Sequence, residues 1–373
     1  MAGNKALAKA SRARQDEFYS QLSDVEAELR HYRKHFKGKV VFCNADDPYE
    51  SAFFKYFANN FNHLGLKKLV TTSYAGSPIT GKQLPLFDLA GLSDDVPPHE
   101  VFKVEITEVP DLNDDGAIDL SDVEYLLKNN KNSMTPLDGD GDFRSAECVA
   151  LLDEADIVVT NPPFSLFREF IALLLEHGKK FLVIGSKNAI TYKEIFPLIQ
   201  SDQLWLGHGF PNGNAYFRVP ESYQDQFVDG VFDEKTGLVK FRNVGWFTNL
   251  DNPKRHEPLT LYKRYSPDEF ASYDNYDAIE VSKVSDIPYD YPHAMGVPIT
   301  FLDSYSPDQF EILGITDRQN DHGLKTKEYT KSDGKNHNDL NRRGAIRLTN
   351  GELKATYARL LVRNRYPETG SPS

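Results

Sequence analysis

Short apolar segments alternate along this chain with segments of helical periodicity, and this alternation limits the possible folds more than any other feature. The segment "KVVFC" predicts a strand, and "ESAFFKYFANNFNHLG" after it places phenylalanines on one helical face before a terminal glycine. The segment "KKLVTTSYA" predicts the next strand. Strand, helix and strand form the repeating unit of α/β proteins, so the sequence predicts a parallel sheet.

The alternation resumes after Asp142. Helices are predicted at 145–155, 165–179 and 192–201, and short β-branched strands at 156–161, 180–189 and 203–209. After about residue 210 aromatic residues, proline, asparagine and aspartate become dense, and strands are predicted at 243–251 and 259–265. The chain length of 373 residues also favours one large α/β domain and a smaller second one.

The composition is typical of a soluble globular protein, with 40% hydrophobic and 26% charged residues. We expect no membrane span and no signal peptide, since long apolar runs are absent from the sequence. Cys43 and Cys148 are the only cysteines, which favours a reducing, cytoplasmic location. The net charge of −12 counts against a nucleic-acid partner, but the first 40 residues and the tail from Arg342 are basic.

The segment "DIVVTNPPFSLF", residues 156–167, carries the strongest functional signal. A simple turn from strand to helix would explain one proline, but not an asparagine held between a strand end and two prolines. Ligands of open α/β sheets bind outside the carboxyl ends of the strands. The Asn161 amide and the Pro162 carbonyl offer two acceptors for an exocyclic amine, and Phe164 offers a face for a planar heterocycle.

An Asn-Pro-Pro-Phe sequence after an apolar strand resembles the catalytic motif of amino-methylating DNA methyltransferases, which use S-adenosylmethionine. Further stretches between about 16 and 315 resemble the EcoRI-type adenine-specific methyltransferase family, in that family's order; they include "VVFCNADDPYESAFFKYF", "GDGDFRS", "KNAITYKEIF" and "WFTNLD". This resemblance implies N6 of adenine as the acceptor, although the residues alone do not separate N6-adenine from N4-cytosine.

The resemblance implies an α/β fold: a Rossmann-like class I methyltransferase sheet with helices on both faces, followed by a mixed or β-rich DNA-recognition region. We expect a flexible basic arm at 1–15 and a catalytic domain at 16–209, which contains an acidic EF-hand-like insertion at 111–141. The target-recognition region, with its basic tail, would then occupy 210–373.

Site residues are also implied by the resemblance. Asn161 and Pro162 would bind the target amine, Pro163 would hold the motif rigid, and Phe164 would stack on the flipped base. Asp142 would accept from the cofactor's adenine amine and Phe143 would pack on its ring. The full set of predicted cofactor contacts is Phe18, Tyr19, Asn44, Asp46, Asp47, Asp142 and Phe143. The glycine-rich loop common among such enzymes is absent after "VVFC", where Asn44 and its acidic neighbours stand instead.

The segment "DLNDDGAIDLSD", residues 111–122, has the spacing of a calcium loop. Its predicted ligands are Asp111, Asn113, Asp115 and Asp122. The segment before it predicts a strand instead of the entering helix of an EF-hand, so an acidic surface turn is the alternative.

Sequence recognition requires side chains that reach the grooves of the DNA. Lys254, Arg255, Arg342 and Arg343 are the predicted DNA contacts, although such clusters are more often solvated surface. We expect double-stranded DNA as the partner, a monomer, and a cognate restriction endonuclease that is linked functionally and not physically.

Two other classes of function remain open from the residues. The same motif could serve a methyltransferase for N4-cytosine, RNA or a glutamine amide of a protein. The chain could also be a calcium-binding module without enzymatic activity.

Overall fold

The structure is a computed structural model, and it describes residues 19–44, 46, 51–74, 101–110, 134–219, 231–317, 324–333 and 336–368. The chain divides into two compact units. The first comprises Met1–Lys187 and Leu206–Leu250, and the second comprises Asn188–Trp205 and Asp251–Ser373.

Strands β1–β12 belong to the first unit or its boundary: β1 (Tyr19–Ser20), β2 (Val40–Cys43), β3 (Lys68–Thr72), β4 (Phe102–Ile106), β5 (Met134–Pro136), β6 (Ile157–Thr160), β7 (Lys180–Ser186), β8 (Trp205–Leu206), β9 (Ala215–Arg218), β10 (Phe232–Asp233), β11 (Leu238–Phe241) and β12 (Val244–Thr248). Its helices are α1 (Leu22–Leu29), α2 (Arg33–Phe36), α3 (Ala52–Asn59), α4 (Phe61–Leu64), α5 (Ala146–Glu154) and α6 (Phe167–Glu176).

An eight-stranded sheet with the order β5-β4-β3-β2-β6-β7-β12-β8 forms the centre of the first unit. Strands β3, β2, β6 and β7 are parallel neighbours, as the sequence predicts. Strand β4 pairs antiparallel with β3, and β12 pairs antiparallel with β7. All residues of β2 and β6 are buried, because an internal parallel strand is covered on both faces. The fold is therefore mixed α/β.

Helices α3 and α4 follow the predicted apolar stripe. Ser51 caps α3, since its hydroxyl accepts a hydrogen bond of 3.1 Å from the amide of Phe54. Gly65 ends α4 in the left-handed conformation, at a φ of 62°, as the sequence predicts. The phenylalanines of both helices are buried in the main hydrophobic core, together with Trp246, which is 1% exposed.

Antiparallel strands also occur in the first unit, in a four-stranded sheet with the order β1-β9-β11-β10. In the second unit the strands are β13 (Ile279–Glu280), β14 (Met295–Pro298), β15 (Phe310–Ile315), β16 (Ala345–Arg347), β17 (Leu353–Ala355) and β18 (Arg359–Asn364), and the helices are α7 (Phe196–Gln200) and α8 (His337–Arg342). Its sheets have the orders β13-β14-β18-β15 and β16-β17.

The strand predicted at 259–265 is wrong. Only one bridge forms there, between Lys263 and Pro288. Side chains bind this backbone instead: Gln309 pairs with both the amide and the carbonyl of Leu259, and Asp290 accepts a hydrogen bond of 2.7 Å from the amide of Tyr265. None of the helices in the described ranges has the length and apolar character that crossing a bilayer requires.

Candidate active site

Three polar residues follow three adjacent parallel strands at the carboxyl edge of the sheet. Asn44 follows β2, Ser73 follows β3 and Asn161 follows β6. Since β3, β2 and β6 are parallel neighbours, these residues lie at the same edge. This is the edge where open α/β sheets bind their ligands.

Threonine hydroxyls tie the loop after β2 to both neighbouring strands. Thr160 donates a hydrogen bond of 2.8 Å to the main-chain oxygen of Asn44, and Thr72 donates one of 3.2 Å to its side-chain oxygen Oδ1. The hydroxyl of Thr71 bonds to the carbonyl oxygens of Cys43 and Asp46. Asn44 is 2% exposed, so these contacts fix it firmly at the strand ends.

The predicted catalytic motif starts one residue after Thr160. Pro162 is buried, Asn161 and Phe164 are half-buried, and the side-chain oxygen of Asn161 is buried. Phe164 begins a short 3-10 turn and packs against the main core. The amide of Leu166 donates a hydrogen bond of 2.9 Å to the carbonyl of Pro163, which closes the turn. The motif is thus a rigid step between β6 and α6.

Helix α6 is anchored directly after this turn. Its first residue, Phe167, is 2% exposed and packs on Phe247 with 4.9 Å between ring centroids. The ring also lies against Gly185 of β7, where any side-chain Cβ would collide with it. Glycine is therefore needed at this strand position for α6 to begin where it does.

The loop before α5 reaches the same edge. Gly141 has a φ of +77°, and a Cβ there would collide with the main-chain oxygen of Ser73. The close approach of these two backbones places Asp142 beside the end of β3. Predicted cofactor residues from two distant segments, Asn44 and Asp142, are thus brought to one edge with Asn161.

Asp142 is held by its neighbour Arg144. Its Oδ1 accepts hydrogen bonds of 2.9 Å from both the amide and Nε of Arg144, and its Oδ2 accepts one of 2.6 Å from Nη2. These bonds hold the pKa of the Asp142 carboxyl below its ordinary value, so the carboxylate is ionised at neutral pH. Phe143 is 5% exposed and packs edge-on against Phe170 of α6, with 5.1 Å between ring centroids.

Comparison with known proteins gives the family. The family model described as "Adenine-specific methyltransferase EcoRI" matches residues 6–365. The chain belongs to this family. The resemblance that the sequence motifs suggest is confirmed, and the family members are adenine-specific DNA methyltransferases that use S-adenosylmethionine.

Curated relatives span almost the whole chain. Type II methyltransferase M.EcoRI of Escherichia coli is 43% identical over 321 residues, which cover 84% of this chain and 89% of the relative. Type II methyltransferase M.MpnI of Mycoplasma pneumoniae is 36% identical over 366 residues, which cover 96% and 97%. Type II methyltransferase M.MgeORF184P of Mycoplasma genitalium is 33% identical over 372 residues, which cover 96% and 98%. No solved structure matches the chain significantly.

The groups at the carboxyl edge fit S-adenosylmethionine chemically. The cofactor presents hydrogen-bond donors along its length: an α-ammonium group, ribose hydroxyls and an adenine amine. The edge presents acceptors, namely the Asn44 amide and the carboxylates of Asp46 and Asp142, around the strand ends that Thr71 and Thr72 fix. Carboxylates near an ammonium group and an amine are complementary in charge and in hydrogen bonding.

Other predicted cofactor and metal residues are only partly described. Tyr19 lies in β1, where it pairs with Arg218 of β9. Phe18 and Asp47 lie outside the described residues, as does the predicted calcium loop with Asp111, Asn113, Asp115 and Asp122. Within the described ranges, no group of three or more His, Cys, Asp or Glu side chains is placed to hold a metal ion.

The four predicted DNA contacts all lie in the second unit. Arg255 forms an ion pair with Asp202 and lies over the ring of Trp205, 3.9 Å from its centroid. Arg343 forms an ion pair of 2.8 Å with Asp317. Lys254 is half-buried in a 3-10 turn, and Arg342 is exposed at the end of α8.

The groups that position this edge are not evident from the sequence. Thr71, Thr72 and Thr160 are ordinary β-branched strand residues by propensity, so their hydroxyl contacts carry no sequence signal. Gly141 and Gly185 could have been found, because an isolated glycine in a strand or beside a helix start often marks close packing.

Proposed function

We propose that this chain methylates N6 of adenine within a specific sequence of double-stranded DNA, after the base is flipped out of the duplex. The observation that supports this most strongly is the hydrogen bond from Thr160 to Asn44, which keeps the Asn161 motif beside the loop after β2. In this proposal the large sheet is a Rossmann-like class I methyltransferase sheet with helices on both faces. Flipping the base costs a few kcal/mol, and contacts to the extruded base and to the DNA backbone offset this cost.

Asn161 and Pro162 hold the target amine in this mechanism. The Oδ1 atom of Asn161 and the main-chain oxygen of Pro162 each accept one N6 hydrogen, and Phe164 stacks on the base. S-adenosylmethionine, when bound, would supply an electrophilic methyl group and leave as S-adenosylhomocysteine, and the methylated nitrogen would release one proton to solvent. Positive charge that develops on the amine nitrogen strengthens both hydrogen bonds, so the two acceptors stabilise the transition state more than the ground state. Pro162 and Pro163 keep this pair rigid, which lowers the entropic cost of positioning.

The cofactor would lie along the carboxyl edge of β3, β2 and β6. Its amine and hydroxyl groups would donate to acceptors after β2 and before α5, and its methionine end would lie near β1. Residues assigned to it in this proposal are Phe18, Tyr19, Asn44, Asp46, Asp47, Asp142 and Phe143. The Asp142 carboxylate, kept ionised by Arg144, would accept from the adenine amine.

Target recognition is assigned to the region 210–373, with Lys254, Arg255, Arg342 and Arg343 as DNA contacts. The ion pairs of Arg255 and Arg343 fix the directions of their side chains. A monomer would act on each strand of the site in turn, and a restriction endonuclease would be a functional partner. Calcium binding at 111–122 stays a prediction, and methyl transfer does not require it.

Expression in a host that lacks adenine methylation tests this function directly. Modification-aware sequencing of the host DNA should reveal N6-methyladenine at one recurrent short sequence and nowhere else. Methylation of cytosine at N4, or of RNA or protein alone, would contradict the proposal. Host DNA that stays unmodified while the purified protein is folded would contradict it as well.

A further inference from the structure

Arg144 bridges two carboxylates that belong to different parts of the candidate site. Its Nε and Nη2 donate to Asp142 in a bidentate pair, and its Nη1 donates a hydrogen bond of 2.9 Å to Oε2 of Glu169. Asp142 precedes α5, whereas Glu169 lies in α6, the helix that follows the Asn161 motif. One guanidinium therefore connects the loop before α5, which holds Asp142, to α6, which follows the Asn161 motif.

The bidentate pair also decides which acceptor positions of Asp142 remain. A carboxylate oxygen can accept two hydrogen bonds. Oδ1 already accepts from the amide and from Nε of Arg144, so it is saturated. Among the described residues, Nη2 of Arg144 is the donor that reaches Oδ2, which leaves that atom one further position. Asp142 can thus accept one more hydrogen bond, at the remaining lone pair of Oδ2.

A second contact between the same two segments lies beside the bridge. Phe143 and Phe170 pack edge to face, and the guanidinium of Arg144 lies over the Phe143 ring, 5.1 Å from its centroid. Two consecutive residues of the loop therefore contact two consecutive residues of α6, Glu169 and Phe170. Such a double contact restricts rotation of the loop against the helix.

We propose that Arg144 is a positioning residue that aims the remaining acceptor of Asp142 at the exocyclic amine of the cofactor's adenine. Through Asp142, Arg144 thereby favours an adenine ring over a ring that carries an oxygen in place of the exocyclic amine. The inference rests on the proposed function, which assigns Asp142 to the cofactor's adenine ring. Arg144 itself acts through Asp142 and does not contact the reacting atoms.

The exposure of this bridge indicates that it is not required for folding. The side chains of Arg144 and Glu169 are 50% and 58% exposed, and ion pairs this exposed contribute little to stability. Loss of the guanidinium should therefore change the orientation of Asp142 more than the fold. A lysine at the same position would keep the charge but lose the planar fork.

Isothermal titration calorimetry with two cofactor analogues tests the inference without any methyl transfer. S-adenosylhomocysteine carries the amine, and S-inosylhomocysteine carries an oxygen in its place. The wild-type protein should bind the adenosyl compound at least about tenfold more tightly, since an oxygen cannot donate to Asp142. Arg144→Gln should reduce this preference to about twofold or less, and Arg144→Lys should give an intermediate preference. Arg242→Gln, an exposed arginine of the same unit, is the matched control and should keep the full preference.

The possible results distinguish the role of Arg144 from the role of Asp142, on which it rests. An Arg144→Gln protein that keeps the wild-type preference, while Asp142→Ala loses it, would overturn the role of Arg144 and leave that of Asp142 intact. A wild-type protein that binds both analogues equally would overturn both roles. If Arg144→Gln does not fold, Arg144→Lys decides, because a purely structural role would weaken both analogues equally and leave their ratio unchanged.

Discussion

The side-chain hydroxyl of Thr160 donates a hydrogen bond of 2.8 Å to the main-chain oxygen of Asn44. It joins the last residue of β6 to the first residue after β2, across 116 positions of sequence. Asn161 follows at once, so one buried contact joins the strand that leads into the predicted base-binding amide to the loop after β2. The candidate site is therefore built from strand ends, with loops added around them.

Thr160→Val should weaken cofactor binding by about tenfold, because the isosteric change leaves the buried Asn44 carbonyl without its donor and loosens the loop after β2. The lost bond should also lower the free energy of unfolding by about 1–2 kcal/mol. Calorimetry and urea unfolding measure the two effects. Thr248→Val is the matched control, since its buried hydroxyl donates to Phe181, on another strand, and its loss should lower stability alone. Unchanged cofactor affinity in Thr160→Val would contradict this role.

Gly141→Ala should impair both stability and cofactor binding. The added Cβ meets the Ser73 carbonyl, and alanine is strained at a φ of +77°, so the loop must move away from β3. We expect a loss of about 1–3 kcal/mol in unfolding free energy and at least about tenfold weaker binding of S-adenosylhomocysteine. In the matched control, Gly139→Ala, the new Cβ would lie 3.6 Å from Oε2 of Glu147, an ordinary contact. Equal behaviour of the two variants would refute the close approach.

His256 should contribute stability to the second unit at acidic pH and lose that contribution as pH rises. Its two ring nitrogens lie 2.7 Å from Asp308 and 2.8 Å from Asp251, and these carboxylates raise the pKa of the imidazole. A raised folded pKa means that the contribution is complete below the unfolded value of about 6.5 and disappears through the higher folded pKa. The effect should stay below about 1 kcal/mol because the side chain is 43% exposed.

Thermal unfolding of His256→Gln and of the wild type tests the direction of this pH dependence. The difference in melting temperature should be larger at pH 6 than at pH 9. A difference in melting temperature that grows with pH would contradict a raised pKa of His256 in the folded protein.

Much of the first unit could be predicted from local sequence. The buried β-branched strands, the phenylalanine stripe of α3 and α4, and the glycine at its end all follow from periodicity and capping rules. The pairing of β12 with β7 could not be predicted in this way, because it joins segments about 60 residues apart and depends on the whole sheet. The segment 259–265 has strand propensity, yet the Gln309 and Asp290 side chains occupy its backbone groups.

Local sequence also predicts the centre of the candidate site, at "NPPF" and "GDGDF", since these segments have an unusual local composition. It did not reveal what holds them. Arg144 is one of many arginines in the sequence, and its bidentate contact with Asp142 depends on the turn that precedes α5. Thr160 resembles any other strand threonine until β2 lies beside it.

Asn161→Ala separates base positioning from cofactor binding, with cofactor affinity and methyl transfer measured on one protein sample. The variant should bind S-adenosylhomocysteine within about threefold of the wild type, whereas N6-adenine methylation of duplex DNA should fall by at least about a thousandfold. Asn62→Ala, at an exposed asparagine of α4 outside the candidate site and outside 210–373, should retain both properties. Methylation by Asn161→Ala at a rate near that of the wild type would contradict the claim that this amide holds the target amine.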